Sequence, residues 1–262
     1  MRRAGLVVCD LDGVVWLAGD PLPGVADGIA RLRDAGADLL FLTNNSSRPV
    51  REYVGVLAGI GVEAAPDEVL TSAVVAADVL AGALDPGGRV LACAGDGVVE
   101  ALEGVGLSVV DAWPCEAVVV GWHREFDYDR MERASTAVRN GARFVATNLD
   151  PTYPAPEGLV PGNGALVAAV TAAAGIKPEV VGKPFAPTVD AVLGRANGCT
   201  GVVVGDRPST DGALAAALGW PFVLVHSDAS ASEVGAQIEV AMEGDRLADL
   251  VDHVVALIGR ET

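Results

Sequence analysis

Short apolar runs rich in β-branched residues alternate along this chain with stretches of helical spacing. That alternation constrains the fold more than any single residue does. Val7-Val8-Cys9 is the first such run, and it stops at Asp10-Leu11-Asp12-Gly13. Pro23-Gly24 then opens a helix with apolar positions at Val25, Ile29 and Leu32, closed by Gly36. Leu39 to Thr43 reads as a second buried strand, followed by the polar turn Asn44-Asn45-Ser46-Ser47. Pro49 suits a first helical turn, and Tyr53, Leu57 and Ile60 keep helical spacing after it. An Ala- and Val-rich helix is expected over 72–84. This βαβα order predicts an α/β fold, a parallel sheet with helices on its faces.

Asp85-Pro86-Gly87-Gly88 is the best candidate boundary. Beyond it the pattern restarts, with strands expected at 90–94, 107–110, 117–120 and 144–147 and helices near 98–103 and 128–139. Pro161-Gly162-Asn163-Gly164 leads into a further helix that ends near Gly175. This stretch is long enough for a small α/β domain of its own. Gly182-Lys183-Pro184 returns to the first pattern: a helix over 187–196, then the strand Val202-Val203-Val204. The strand ends in Gly205-Asp206-Arg207-Pro208-Ser209-Thr210-Asp211, and a helix through Leu214 and Leu218 and a strand at 222–225 follow. Residues 250–258 read as one short strand and a terminal helix. The expected division is therefore 1–84 with 181–262 as one discontinuous domain, and 85–180 as an insert.

Composition narrows the classes of partner. The 262 residues include 51% hydrophobic ones, which argues against disorder. Eighteen basic against thirty-five acidic residues give a formal charge of −17, unfavourable for binding nucleic acid or an anionic membrane surface. Any anion site needs local positive charge. No apolar stretch approaches the roughly 20 residues of a membrane span. Met1-Arg2-Arg3 is basic, but acids interrupt the following apolar run, so no signal peptide is read there. Cys9, Cys93, Cys115 and Cys199 lie far apart without zinc-ligand spacing, which points to a reduced, cytoplasmic protein.

Four strand ends carry chemistry. Open α/β sheets place ligands at the carboxyl ends of their strands. Asp10 and Asp12 sit at one such end, where two carboxylates repel unless a cation lies between them or one holds a proton. A hard cation, Mg²⁺, suits that setting. Asp10 can act as a nucleophile toward phosphorus, and Asp12 can protonate a leaving oxygen. Thr43 and Asn44 end the second strand, where a hydroxyl and backbone N–H groups either cradle an anion or cap the next helix. Lys183, held between Gly182 and Pro184, is either a charge-neutralising group or a linker residue. Asp206 is placed to complete a Mg²⁺ shell. Asp211 either supports a metal-bound water or stabilises a helix start.

The ordered occurrence of these elements resembles the haloacid dehalogenase (HAD) superfamily of phosphatases. The matching motifs are Asp10-x-Asp12-Gly13, Thr43-Asn44, Lys183 and Gly205-Asp206-x-x-x-x-Asp211. The finer likeness is to the NagD-like, p-nitrophenylphosphatase-like subfamily. It rests on Thr43-Asn44-Asn45-Ser46-Ser47-Arg48, on Thr147-Asn148-x-Asp150-x-Thr152 and on Pro161-Gly162-x-Gly164. The resemblance implies a Rossmann-like parallel-sheet core with helices on both faces and an inserted α/β cap. It implies a Mg²⁺-dependent phosphatase hydrolysing a small phosphorylated metabolite through an aspartyl-phosphate intermediate. Asp10 would be the nucleophile and Asp12 the general acid and base. Asp10, the Asp12 carbonyl and Asp206 would hold Mg²⁺ with Asp211 in support, and Thr43, Asn44 and Lys183 would bind the phosphoryl oxygens. A homo-oligomer through the cap is compatible with this reading.

The loop Trp122-His123-Arg124-Glu125-Phe126-Asp127-Tyr128 departs from the family, which usually has an Asp early in this loop. Trp122 and His123 are the candidates for cap specificity. His123 can donate a hydrogen bond when neutral and carries charge below about pH 6.5. Phe126 and Tyr128 are read as helix-docking residues, and His226 and His253 as structural. Three other functions compete. A phosphotransferase or dehalogenase on the same fold ranks low, because dehalogenases of the superfamily generally lack the second Asp, here Asp12. A dinucleotide-binding oxidoreductase is disfavoured because no G-x-G-x-x-G follows the first strand. A phospholigand-binding or scaffold protein would be expected to lack Asp10, Asp12 or Lys183, and all three are present.

Overall fold

The structure is a computed structural model, and it describes residues 5–17, 19–155, 158–227 and 238–259. The chain divides into two compact units. One comprises Met1–Thr43, Tyr53–Leu70 and Thr188–Thr262, the other Asn44–Glu52 and Thr71–Pro187.

The first unit is built on a six-stranded sheet. In spatial order its strands are Met242–Gly244, Phe222–Val225, Gly201–Gly205, Gly5–Asp10, Ala37–Thr43 and Val69–Thr71. The five from Met242–Gly244 through Ala37–Thr43 pair in parallel. Both faces of the central strands are covered, which is why Val7, Val8, Leu40, Phe41 and Val202 to Val204 read as continuous apolar runs with no polar alternation. The helices Val25–Asp34 and Leu247–Ile258 pack together beside this sheet, each presenting buried residues at helical spacing: Val25, Ile29 and Leu32 on one, Leu247, Leu250, Val251 and Val254 on the other.

The second unit carries a five-stranded parallel sheet ordered Glu179–Val180, Arg143–Ala146, Ala117–Val120, Arg89–Cys93 and Ser108–Val110. Val118, Val120 and Phe144 from its strands pack with Ala134 and Val138 of the helix Tyr128–Arg139 and with Leu166 and Val170 of the helix Asn163–Ala174. Asp127 starts the helix Tyr128–Arg139 by accepting the N–H of Arg130 at 2.8 Å. An antiparallel hairpin, Thr152–Ala155 with Gly158–Pro161, precedes the helix Asn163–Ala174.

The α/β class and the parallel central sheet are as the alternation predicted. Two readings need correction. Residues 250–258 contain no strand, because the helix Leu247–Ile258 covers them and the short strand is Met242–Gly244. The apolar spacing of Leu250, Val251, Val254 and Ile258 is helical, and that periodicity governs. Tyr128 does not dock its helix, being 70% exposed, whereas Phe126 packs against the second unit's core as expected.

Candidate active site

In the first unit, strand order reverses about Gly5–Asp10. The chain proceeds from it to Ala37–Thr43 on one side and reaches Gly201–Gly205 on the other. The crevice between the carboxyl ends of two strands at such a reversal is where open α/β sheets bind ligands. Register brings the expected residues to that edge. Cys9 pairs with Val204, so Asp10 and Asp206 end adjacent strands, and Asp10 pairs with Leu42, so Thr43 ends the next one. Asp10, Asp206 and Asp211 are all buried, and each offers a carboxylate oxygen within 4.8 Å of the others.

Two glycine-adjacent details explain the geometry. Gly13 has φ +91°, and a Cβ there would lie 2.3 Å from Oδ2 of Asp206, so only glycine lets the turn pass over that carboxylate. Asp211 sits in the turn Pro208–Gly212 and its Oδ2 accepts the N–H of Arg207 at 3.1 Å. Asp211 therefore both joins the carboxylate cluster and braces the turn that carries it. The carboxylate of Asp12 is oriented differently, with Oδ1 accepting the indole N–H of Trp16 at 3.1 Å.

In the second unit, Asn44 and Lys183 come together. Both are buried, and the Asn44 amide hydrogen-bonds the main chain of Lys183 on both sides. Trp122 donates its indole N–H to the Pro161 carbonyl at 2.9 Å and lies against Tyr153 with ring centroids 4.6 Å apart, fastening the hairpin. His123 is buried, with Nδ1 2.8 Å from the Gly121 carbonyl and its ring edge-on to Phe126. A carbonyl only accepts, so Nδ1 carries the proton and the neutral ring has its acceptor at Nε2. Burial, above all, pushes the His123 pKa below its ordinary value. The donor capacity expected of His123 is thus committed to Gly121, and its charging is disfavoured.

Sequence reasoning missed several partners of these residues. Ser227 donates its hydroxyl to Oδ2 of Asp206 at 2.5 Å. Trp16 orients Asp12, and Asp150 accepts from the Asn44 amide. Trp16 stands four residues after Asp12 and offered a local signal; Ser227 and Asp150 meet their partners only through the fold.

Residues 7–108 match the haloacid dehalogenase-like hydrolase family, and residues 180–254 match a HAD-hydrolase-like family. The chain is 35% identical over 184 residues to an acid sugar phosphatase of Staphylococcus saprophyticus, covering 70% of this chain and 71% of that protein. The chain belongs to the haloacid dehalogenase-like hydrolases.

Other members of this hydrolase family are also similar. D-glycerol 3-phosphate phosphatase of Mycobacterium tuberculosis is 38% identical over 221 residues, which is 84% of this chain and 62% of that protein; the chain thus spans less than two thirds of that relative's length. The crystal structure of the mycobacterial glycerol phosphate phosphatase with magnesium has a TM-score of 0.86 at 34% identity, covering 95% of this chain and 78% of the other. A p-nitrophenyl phosphatase from Archaeoglobus fulgidus has a TM-score of 0.88 at 29% identity, covering 96% and 100%. The residues of this chain fit such a cation: three buried carboxylates converge, and an all-oxygen anionic donor set suits a hard divalent ion. Among the described residues, no helix is long and apolar enough to cross a membrane.

Proposed function

We propose that this chain is a Mg²⁺-dependent phosphomonoesterase that hydrolyses a small phosphorylated metabolite through an aspartyl-phosphate intermediate. The observation that carries the reading is the buried cluster of Asp10, Asp206 and Asp211 at the strand-order reversal, with Asp12 two residues from the nucleophile. An oxygen of Asp10 attacks phosphorus, and the bond to the leaving oxygen breaks as Asp12 delivers a proton to it. Asp12 then takes a proton from water as the water oxygen attacks the same phosphorus and releases Asp10. Mg²⁺, held by Asp10, the Asp12 carbonyl and Asp206 with Asp211 in support, would supply positive charge to the transferring group. Thr43, the Asn44 segment and Lys183 contribute the remaining donors and charge, in keeping with phosphoryl transfer as mainly positioning and neutralisation.

Residues 1–84 and 181–262 form the catalytic core in this reading, and 85–180 the cap. Trp122 and His123 belong to substrate choice, Trp122 by fastening the hairpin and His123 by its acceptor nitrogen. The names of the relatives support a polyol or sugar phosphate as the substrate class. The four cysteines stand unbridged and support a reducing, cytoplasmic setting. The exposed apolar residues Trp113, Leu159 and Ile176 lie in the cap and support a homo-oligomer formed through it.

Asp10→Asn tests the reading. The amide is nearly isosteric but cannot form the covalent intermediate. Turnover of p-nitrophenyl phosphate with Mg²⁺ is expected to vanish while circular dichroism stays unchanged. Substantial turnover, with deamidation excluded by mass spectrometry, would remove Asp10 as nucleophile.

A further inference from the structure

Asn44 is the residue whose position in the motif and whose hydrogen bonds point to different roles. Its place directly after Thr43 suggests an anion ligand, yet its side chain is fully engaged elsewhere. Oδ1 accepts the N–H of Lys183 at 2.8 Å, and Nδ2 donates to the Lys183 carbonyl at 3.2 Å and to the Asp150 carboxylate at 3.2 Å. The amide orientation follows from these partners. Reversed, its oxygen would face a carbonyl and a carboxylate, and its NH₂ would face an N–H. The main chain of Asn44 is held as well, since its carbonyl accepts from Ser72 Oγ at 2.6 Å and from Asn148 Nδ2 at 2.7 Å. Asn148 in turn accepts the Asp150 N–H at 3.0 Å, so Asn44, Asp150 and Asn148 form a closed ring.

The Lys183 segment is confined to match. A Cβ at Gly182 would lie 2.3 Å from the Thr147 carbonyl oxygen and 2.6 Å from Oδ1 of Asn44. Lys183 itself is buried, so its long side chain has little room to swing and the placement of its main chain bears directly on where the ammonium stands.

We propose that Asn44 is a positioning residue whose amide grips the main chain of Lys183 on both sides and so sets where the lysine ammonium stands, with Asp150 fixing the orientation of that amide. The proposal rests on the reading of Lys183 as the group that neutralises phosphoryl charge. In such a network a small displacement of the acting group costs about 10- to 100-fold in rate.

A double-mutant cycle tests it. The readouts are kcat/KM for p-nitrophenyl phosphate and inhibition by inorganic phosphate, measured on the full chain with Mg²⁺. Asn44→Ala and Lys183→Gln are each expected to lower kcat/KM about 10- to 100-fold and to weaken phosphate inhibition. The double variant should be no worse than Lys183→Gln alone, because a residue that acts through Lys183 has nothing left to position. Multiplicative losses would overturn the proposal, since Asn44 would then act independently. Wild-type turnover by Lys183→Gln would instead remove the underlying role of Lys183, and the proposal with it. Because Asn44 is buried and its replacement can impair folding, Asp150, which is half-buried, supplies a second arm. Asp150→Ala should lower kcat/KM several-fold, and Asp150→Asn, which keeps an acceptor oxygen, should recover most of that loss. Equal losses in Asp150→Ala and Asp150→Asn would mean that the carboxylate charge matters rather than its grip on Asn44, and would overturn the role given to Asp150.

Discussion

Removing one charge from the buried carboxylate cluster should act in opposite directions with and without Mg²⁺. Asp10, Asp206 and Asp211 bring oxygens within 4.8 Å of one another. At an effective dielectric of about 20, each pair at that separation repels by roughly 3–4 kcal/mol. Local relaxation and the polar partners of these carboxylates offset most of this, leaving a net strain of about 1–2 kcal/mol in chelator. Asp206→Asn removes two of the three repulsions and keeps an oxygen for the Ser227 hydroxyl. Its melting temperature in EDTA should therefore rise by about 2–8 °C, taking roughly 2–4 °C per kcal/mol for a chain of this size. With Mg²⁺ the order should invert. The wild type gains about 2.7 kcal/mol when the ion is at a hundred times its dissociation constant, whereas Asp206→Asn, having lost an anionic ligand, should respond little. Differential scanning fluorimetry over a Mg²⁺ titration, with EDTA as the zero point, reads both effects. A variant that melts lower than wild type in EDTA and shifts equally with Mg²⁺ would refute the reasoning, because Asp206 would then be neither repelled by its neighbours nor a ligand.

The remaining expectations are narrower. Asp12→Asn should cost more on alkyl phosphates than on p-nitrophenyl phosphate, because a good leaving group needs little protonation; equal losses in kcat on both would argue against general acid catalysis by Asp12. Trp16→Phe removes the indole donor to Asp12 and should lower kcat for alkyl phosphates several-fold while leaving the melting temperature within a few degrees, as steady-state kinetics and thermal melts would show. Burial holds the His123 pKa below its unfolded value, so this residue's contribution to stability is present above about pH 6.5 and is lost as pH falls toward the folded-state pKa. Melting curves at pH 8 and pH 5.5 should therefore show the wild type losing more than His123→Gln. An equal loss would mean that the ring is not desolvated.

The local signals in the chain were strong where elements are long and periodic. Val7 to Cys9, Leu39 to Leu42 and Val202 to Val204 are apolar on both faces because both faces are covered, and Val25, Ile29 and Leu32 carry a helical stripe. Such patterns specify the α/β class, and they place Asp10, Thr43 and Asp206 at strand ends. Elements of two or three residues have no period to read, so Val69–Thr71, Glu179–Val180 and Met242–Gly244 emerged only from pairing.

The side-chain partnerships belong to tertiary structure alone. Ser227 reaches Asp206 across 21 positions, Asp150 reaches Asn44 across 106, and Asn44 holds Lys183 across 139. His123 looks free to donate in sequence, but in the fold its Nδ1–H donates to the Gly121 carbonyl and only the acceptor Nε2 is left uncommitted to that bond. Residue type and spacing determine which groups are available and which face of an element they occupy. Which hydrogen bond each group finally makes depends on what the folded chain brings within about 3 Å of it, and one-dimensional periodicity does not encode that distance.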